Sequence, residues 1–75
     1  MIIPTKHEKL NQNIMVIGAY IIETLMKSHR LTVDDLAIQL SKQNEVTIVK
    51  VLDTLTFLYA AGLVNVDNNL VSLAS

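Results

Sequence analysis

Residues 46–73, VTIVKVLDTLTFLYAAGLVNVDNNLVSL, contain the pattern that decides the fold of this chain. The first part has apolar residues at helical spacing and ends at Gly62, which is typical of a helix and its C-terminal cap. In the second part, two stretches of alternating apolar residues flank Asp67-Asn68-Asn69, a pattern that predicts a β-hairpin with turn residues at its tip. A long helix followed by a hairpin matches the second half of a winged helix-turn-helix.

Two further helices are predicted upstream of this stretch. Apolar residues recur at helical spacing from Leu10 onward, and Thr32-Val33-Asp34-Asp35, with a hydroxyl at the cap and carboxylates in the first turn, is typical of a helix start. We therefore expect a single domain of mainly α (α+β) class, a winged helix-turn-helix of three helices and a two-stranded wing. Its expected parts are an extended arm at 1–9, helix 1 at about 10–28, helix 2 at 33–41, helix 3 at 48–61 and the hairpin at 63–73.

The spacing also predicts how helix 3 is oriented. Thr47 is expected to cap the helix, and Val46 before it to pack against the first turn. The polar residues SKQNE at 41–45 are expected to form the turn between helices 2 and 3. The predicted buried face of helix 3 consists of Ile48, Val51, Leu52, Leu55, Leu58 and Tyr59. The predicted outward face consists of Lys50, Asp53, Thr54, Phe57 and Ala61.

Composition favours association with another chain. The 75 residues contain no cysteine, which excludes disulfides and thiolate metal sites, and 51% of them are hydrophobic. That fraction is high for a chain with so little interior. The uncharged run Ile14 to Ile22 is far shorter than the roughly 20 residues that span a bilayer. We therefore expect a cytoplasmic protein without membrane association.

No constellation of catalytic or metal-binding residues is apparent. The two histidines, His7 and His29, have no partners at a metal-ligand spacing. Asp34 and Asp35 are better explained by electrostatics at a helix start than by paired-carboxylate catalysis. We expect a non-enzymatic protein with no cofactor, no metal and no small-molecule substrate.

DNA binding is the usual function of a helix-turn-helix, and the charges argue against it here. Duplex DNA is bound largely through cations that neutralise phosphates. Helix 3 has one cation, Lys50, beside the anion Asp53, and the wing has no lysine or arginine. The alternative function, a small dimeric DNA-binding transcriptional regulator, would rely on Thr47, Lys50 and Thr54.

Protein binding accounts better for the apolar residues that fall outside the predicted core. Met15, Val16, Ala19 and Tyr20 lie opposite the buried stripe of helix 1, and Phe57 lies opposite that of helix 3. Methionine and aromatic residues are enriched in interface cores. The competing interpretation is that the N-terminal arm, with Ile2-Ile3, folds over Phe57, and that the arm or the hairpin covers the stripe on helix 1. We expect an interface with other subunits or with a second copy of the chain.

The opening MIIPTKHEKLNQNI, the apolar helix after it and the later VLDTLTFLYAAGLV resemble the middle components of three-component ABC-ATPase systems, bacterial defence cassettes of the Lamassu kind. The similarity covers essentially the whole chain, and its more particular part is the MIIPTKHE start. The resemblance implies a winged-helix adaptor that acts with an SMC-like ABC ATPase and an effector, in a complex through which DNA is contacted only indirectly. It supplies no motif residues. A toxin–antitoxin-like protein or a phage-encoded inhibitor stays open as a third class.

Overall fold

The computed structural model of the chain describes residues 13–74. Three helices precede a β-hairpin, and one additional short strand lies between the first two helices. This mainly α arrangement with a small sheet is winged-helix-like and confirms the predicted fold class. The predicted arm at 1–9 lies outside the described residues. The elements are α1 (Ile14–Ser28), β1 (Arg30–Thr32), α2 (Val33–Asn44), α3 (Ile48–Ala60), β2 (Val64–Asp67) and β3 (Leu70–Leu73).

Each helix begins at a polar side chain that caps its first turn. The Asn13 side chain accepts a hydrogen bond of 2.8 Å from the Met15 N–H, so α1 begins at Ile14 rather than near Leu10. The Thr32 hydroxyl accepts from Asp35 N–H at 3.0 Å, and the Thr47 hydroxyl accepts from Lys50 N–H at 3.3 Å. The predicted caps at Thr32 and Thr47 are confirmed.

The sheet has three antiparallel strands in the order β1-β3-β2, whereas the sequence predicted only the hairpin. β1 pairs with β3 through Leu31 opposite Val71. The strand follows α1 directly because His29 ends the helix with a φ of +67° and donates its N–H to the Leu25 carbonyl. Three residues are too few for an alternating pattern to stand out, which explains why β1 was not predicted.

α2 extends to Asn44, so the predicted turn at 41–45 and the predicted end at residue 41 are wrong. The polar residues 41–44 form the last helical turn, which is largely solvated. The helix ends at Glu45, which has a left-handed φ of +57°, and the next residue, Val46, donates its N–H to the Leu40 carbonyl. Val46 then enters the core.

The core lies between the three helices and one face of the sheet. α1 and α3 pack across it, and α2 closes the third side. In residues 13–74 no helix has both the length and the apolar character needed to cross a bilayer. The buried hydrophobic residues are Ile17, Ile21, Leu25, Leu36, Ala37, Leu40, Val46, Val51, Leu55, Leu58, Val64 and Val71.

α3 is rotated relative to the predicted orientation. Its buried stripe has the spacing i, i+3, i+4, i+7 and consists of Val51, Thr54, Leu55 and Leu58. Ile48, Leu52 and Tyr59, which were predicted to be buried, are exposed by 49%, 42% and 58%. Thr54, which was predicted to point outward, is fully buried, and its hydroxyl donates a 2.7 Å hydrogen bond to the Lys50 carbonyl. Because this hydrogen bond satisfies the hydroxyl within the helix, burying Thr54 costs little free energy.

Gly18 gives a direct test of the α1–α3 packing. A Cβ at this position would meet Leu58 Cδ2 at 3.7 Å and Thr54 Cγ2 at 3.8 Å, which are ordinary contact distances. We expect Gly18→Ala to raise the free energy of unfolding by about 0.5–1 kcal/mol, since alanine is the better helix former and fits without strain. Urea denaturation followed by circular dichroism measures the change. A destabilised variant would show that the two helices pack more closely than described.

Candidate protein-interaction surface

An apolar groove runs between the outer sides of α1 and α3. This α1–α3 groove has a volume of about 330 Å³. The most exposed of its large side chains are Met15, at 83%, and Phe57, at 57%. The groove is lined by Ile14, Met15, Gly18, Ala19, Ile22, Phe57 and Leu58.

The residue sizes along α1 account for the shape of this groove. Gly18 and Ala19 are small and lie between Met15 and Ile22, so the surface of α1 is lower there than at either end. Gly18 is buried against α3, whereas Ala19 is exposed. The result is a depression with larger apolar side chains around it, a shape that suits an inserted side chain of a partner.

The structure brings together three of the five residues predicted for the interface. Met15, Ala19 and Phe57 line the α1–α3 groove. Val16 and Tyr20 are half-buried and lie outside it. Tyr20 packs against the core and borders a polar depression of about 150 Å³ between α1 and α2. The predicted surface is therefore narrower on α1 than its sequence pattern indicated.

A second apolar groove lies on the other flank of α3, and the sequence analysis missed it. This α3–β2 groove has a volume of about 390 Å³. It was missed because Leu52 and Tyr59 were assigned to the buried face of the helix. The available signal was the width of the apolar face of α3, which exceeds what one buried stripe occupies. The groove is lined by Val33, Leu52, Leu55, Thr56, Tyr59 and Val66.

Of the three residues named for DNA contact, the structure withdraws one from the surface. Thr54 is fully buried and does not reach the surface. The Thr47 hydroxyl caps α3, and Lys50 is half-buried beside it. The solvent-facing side of α3 presents mostly apolar side chains, including Val49 at 67% exposure, beside the polar residues Asp53 and Thr56. A helix that reads the major groove presents polar and cationic side chains to base edges and phosphates.

In residues 13–74, no three His, Cys, Asp or Glu side chains converge in a way that would hold a metal ion. Both grooves on the flanks of α3 are mainly apolar. The two grooves therefore suit contact with apolar side chains.

A family model described as ABC-three component (ABC-3C) system Middle Component 6 matches residues 3–74. The match covers nearly all of the chain, which therefore belongs to this family of middle components of multi-component ABC systems. No curated protein and no solved structure matches the chain.

Alanine substitutions at Phe57 and at its neighbour Leu58 test whether Phe57 belongs to the surface rather than to the core. We expect Phe57→Ala to change the free energy of unfolding by less than about 1 kcal/mol, since more than half of its side chain is already in water. Leu58→Ala should cost about 2–5 kcal/mol, because Leu58 is only 4% exposed. Chemical denaturation of both variants measures the contrast. Similar losses would place Phe57 in the core.

Proposed function

We propose that this chain is a non-enzymatic winged-helix adaptor subunit of an antiphage defence complex of the Lamassu kind. In this proposal it makes protein–protein contacts with an SMC-like ABC ATPase and with the effector protein of the same system. Membership of the middle-component family supports a place in a multi-component ABC system. The adaptor role is inferred from the apolar residues that the molecule exposes at its surface.

The observation that carries the proposal is the apolar solvent-facing side of α3. In a winged-helix protein that reads DNA, the helix that corresponds to α3 enters the major groove. Here it exposes Val49, Leu52 and Phe57, and its one lysine is half-buried. Apolar side chains gain nothing from phosphates, whereas burying them against a protein removes their surface from water. The chemistry of this helix face therefore favours a protein partner.

The number of exposed hydrophobic residues points the same way. Twelve large hydrophobic side chains are exposed in the described part of this small chain. Single exposed hydrophobic residues are ordinary, but contiguous apolar patches mark interaction sites. In the α1–α3 groove, Met15 and Phe57 come from different helices and form one such patch. We assign this patch as the primary contact with another subunit.

Introducing carboxylates into the α1–α3 groove tests the adaptor role. We expect the double variant Met15→Glu, Phe57→Glu to lose co-purification with the ABC ATPase and effector encoded beside the chain, because two buried carboxylates without partners oppose association. The matched control is Met26→Glu, which alters an exposed methionine of α1, at 65%, that does not line the groove. Circular dichroism verifies that all variants fold. Normal complex assembly by the double variant would contradict the interface.

A second experiment separates the adaptor from a DNA-binding regulator. We expect the purified chain to leave duplex DNA unretarded in a gel-shift assay, even at low salt, because its third helix and wing offer too few cations. A regulator would retard DNA at low salt and lose it steeply as salt increases. Sequence-selective retardation by the isolated chain at physiological salt would overturn the proposed function.

A further inference from the structure

We infer that the outer edge of β2 binds an extended, basic segment of a partner protein, which pairs with this strand and places apolar side chains in the α3–β2 groove. The inference rests on the proposed adaptor role, since it names the kind of segment that one of the partners contributes. It concerns a different surface from the α1–α3 groove.

The backbone of β2 is arranged to accept another strand. β2 is at one edge of the sheet, with β3 on its inner side only. The hairpin turn has two residues, Asn68 and Asn69, with φ values of +52° and +66°, as in a type I′ turn. In such a hairpin the residues that flank the turn, Asp67 and Leu70, form a hydrogen-bonded pair.

From this pair, the direction of every backbone group in β2 follows by alternation. Asn65 and Asp67 direct their N–H and C=O groups toward β3, so Val64 and Val66 direct theirs away from the sheet. The other side of β3 agrees with this alternation, because the Asn69 carbonyl accepts a 3.0 Å hydrogen bond from the Val33 N–H. Among the described residues, no element pairs with β2 on its outer side.

In the part of the chain that the structure describes, this edge also lacks the features that usually prevent strand addition. Natural edge strands are protected by lysine, proline, a bulge or a covering element. The sequence of β2, VNVD, contains no lysine or proline, and its pairing with β3 is continuous. Its only charge is Asp67, at the end of the strand. An unprotected edge in a protein with several exposed hydrophobic residues would be a liability unless a partner covers it.

The α3–β2 groove lies where the side chains of an added strand would point. Val64 and Val66 share one face of the sheet, the face that is turned toward the helices. Val64 is buried, whereas Val66 is 39% exposed and lines the groove with Leu52 and Tyr59 of α3. A strand placed about 4.8 Å beyond β2 would direct every second side chain toward this apolar wall. Backbone pairing supplies affinity in this mode of recognition, and the pocket supplies specificity.

The charges around the groove specify the chemistry of the segment. Three residues that line the groove, Val33, Leu52 and Val66, are each followed by an aspartate, at positions 34, 53 and 67. Asp67 alternates with Val66 along β2, so its side chain lies on the opposite face of the sheet, where the side chains of an added strand that do not enter the groove would also lie. All three aspartates are exposed to solvent. The nearest lysine in sequence, Lys50, is half-buried at the start of α3. The surroundings therefore favour lysine or arginine between the apolar residues of the partner.

The same charges disfavour a second copy of the chain at this edge. Pairing two β2 edges would bring the aspartates beside both grooves into one region, where like charges repel. A heterologous segment with alternating apolar and basic residues satisfies the backbone groups, the groove and the charges together. We therefore assign this surface to a partner protein and not to a homodimer.

Val66→Pro is the variant that tests the pairing. It removes the outward N–H of Val66 and leaves the hydrogen bonds between β2 and β3 in place, a position where an edge strand tolerates proline. The matched control, Val66→Thr, keeps the N–H and the branched shape. We expect Val66→Pro to weaken binding of the co-purified partner by about tenfold and Val66→Thr to weaken it much less, because the lost donor leaves a partner carbonyl unsatisfied.

Amide hydrogen exchange gives a readout on the unmodified protein. In the free chain the Val66 N–H is expected to exchange faster than those of Asn65 and Asp67, which face β3. In the complex with the ABC ATPase and effector, the Val66 amide should become protected by about tenfold or more, as a paired strand requires. An unprotected Val66 amide in an intact complex would overturn the inference, whether or not the proline variant folds.

A synthetic peptide tests the surface on the isolated chain. The probe is a peptide of about six residues, an ordinary strand length, that alternates valine and lysine. We expect this peptide to bind and to change the NMR chemical shifts of residues centred on Val66. It should bind about tenfold more tightly than the same peptide with glutamate in place of lysine. Equal binding of the two peptides, or binding away from Val66, would contradict the assignment.

The two proposals fail in different ways. If the Met15→Glu, Phe57→Glu variant loses the complex while Val66→Pro retains it with wild-type affinity, the adaptor role holds and the strand-addition site is wrong. If nothing co-purifies with the chain, yet the lysine peptide protects the Val66 amide, the adaptor role is wrong and the surface itself is supported.

Discussion

α3 has more apolar surface than one buried stripe can cover, and the rest of the structure depends on this constraint. The helix contacts α1, α2 and β2, yet only Val51, Thr54, Leu55 and Leu58 are buried. A helix that is apolar on a wider arc must expose the remainder or find a partner for it. In a chain of 75 residues, no further element remains among the described residues to cover both flanks.

The apolar residues of α3 that remain exposed lie on two flanks of the helix, and the molecule therefore has two distinct apolar surfaces. On one flank, Phe57 and Met15 line the α1–α3 groove, with Gly18 and Ala19 at its low surface. On the other, Leu52 and Tyr59 face Val66 beside an unpaired strand edge. The first surface is shaped for inserted side chains, whereas the second combines apolar side chains with backbone groups and nearby carboxylates. A subunit that joins two different proteins needs surfaces that differ in this way, since similar surfaces would compete for the same partner.

The sequence predicted the parts of the fold that local chemistry determines. The helix starts at Thr32 and Thr47 and the hairpin turn follow from side chains that satisfy nearby backbone groups. β1, the last turn of α2 and the rotation of α3 depend on tertiary contacts. Residues 41–44 are polar because their turn is solvated, which a periodicity argument cannot distinguish from a loop. Thr54 was misplaced because its hydroxyl bonds the Lys50 carbonyl within the helix, so a nominally polar residue enters the core without penalty.

The sequence predicted three residues of the α1–α3 groove but not the groove itself. Met15, Ala19 and Phe57 stood out because they lie off the buried stripes, yet only the packing of α1 on α3 brings them together. Their exposure has an energetic consequence. A core this small supplies only about 3–5 kcal/mol of stability, and each exposed hydrophobic residue lacks part of the stabilisation that its burial would add. A partner that binds the folded chain would return that stabilisation by linkage. Low stability of the free chain and apolar surfaces on both flanks of α3 would therefore share one cause, a domain too small to bury all of its apolar side chains, and the proposed assembly would compensate for both.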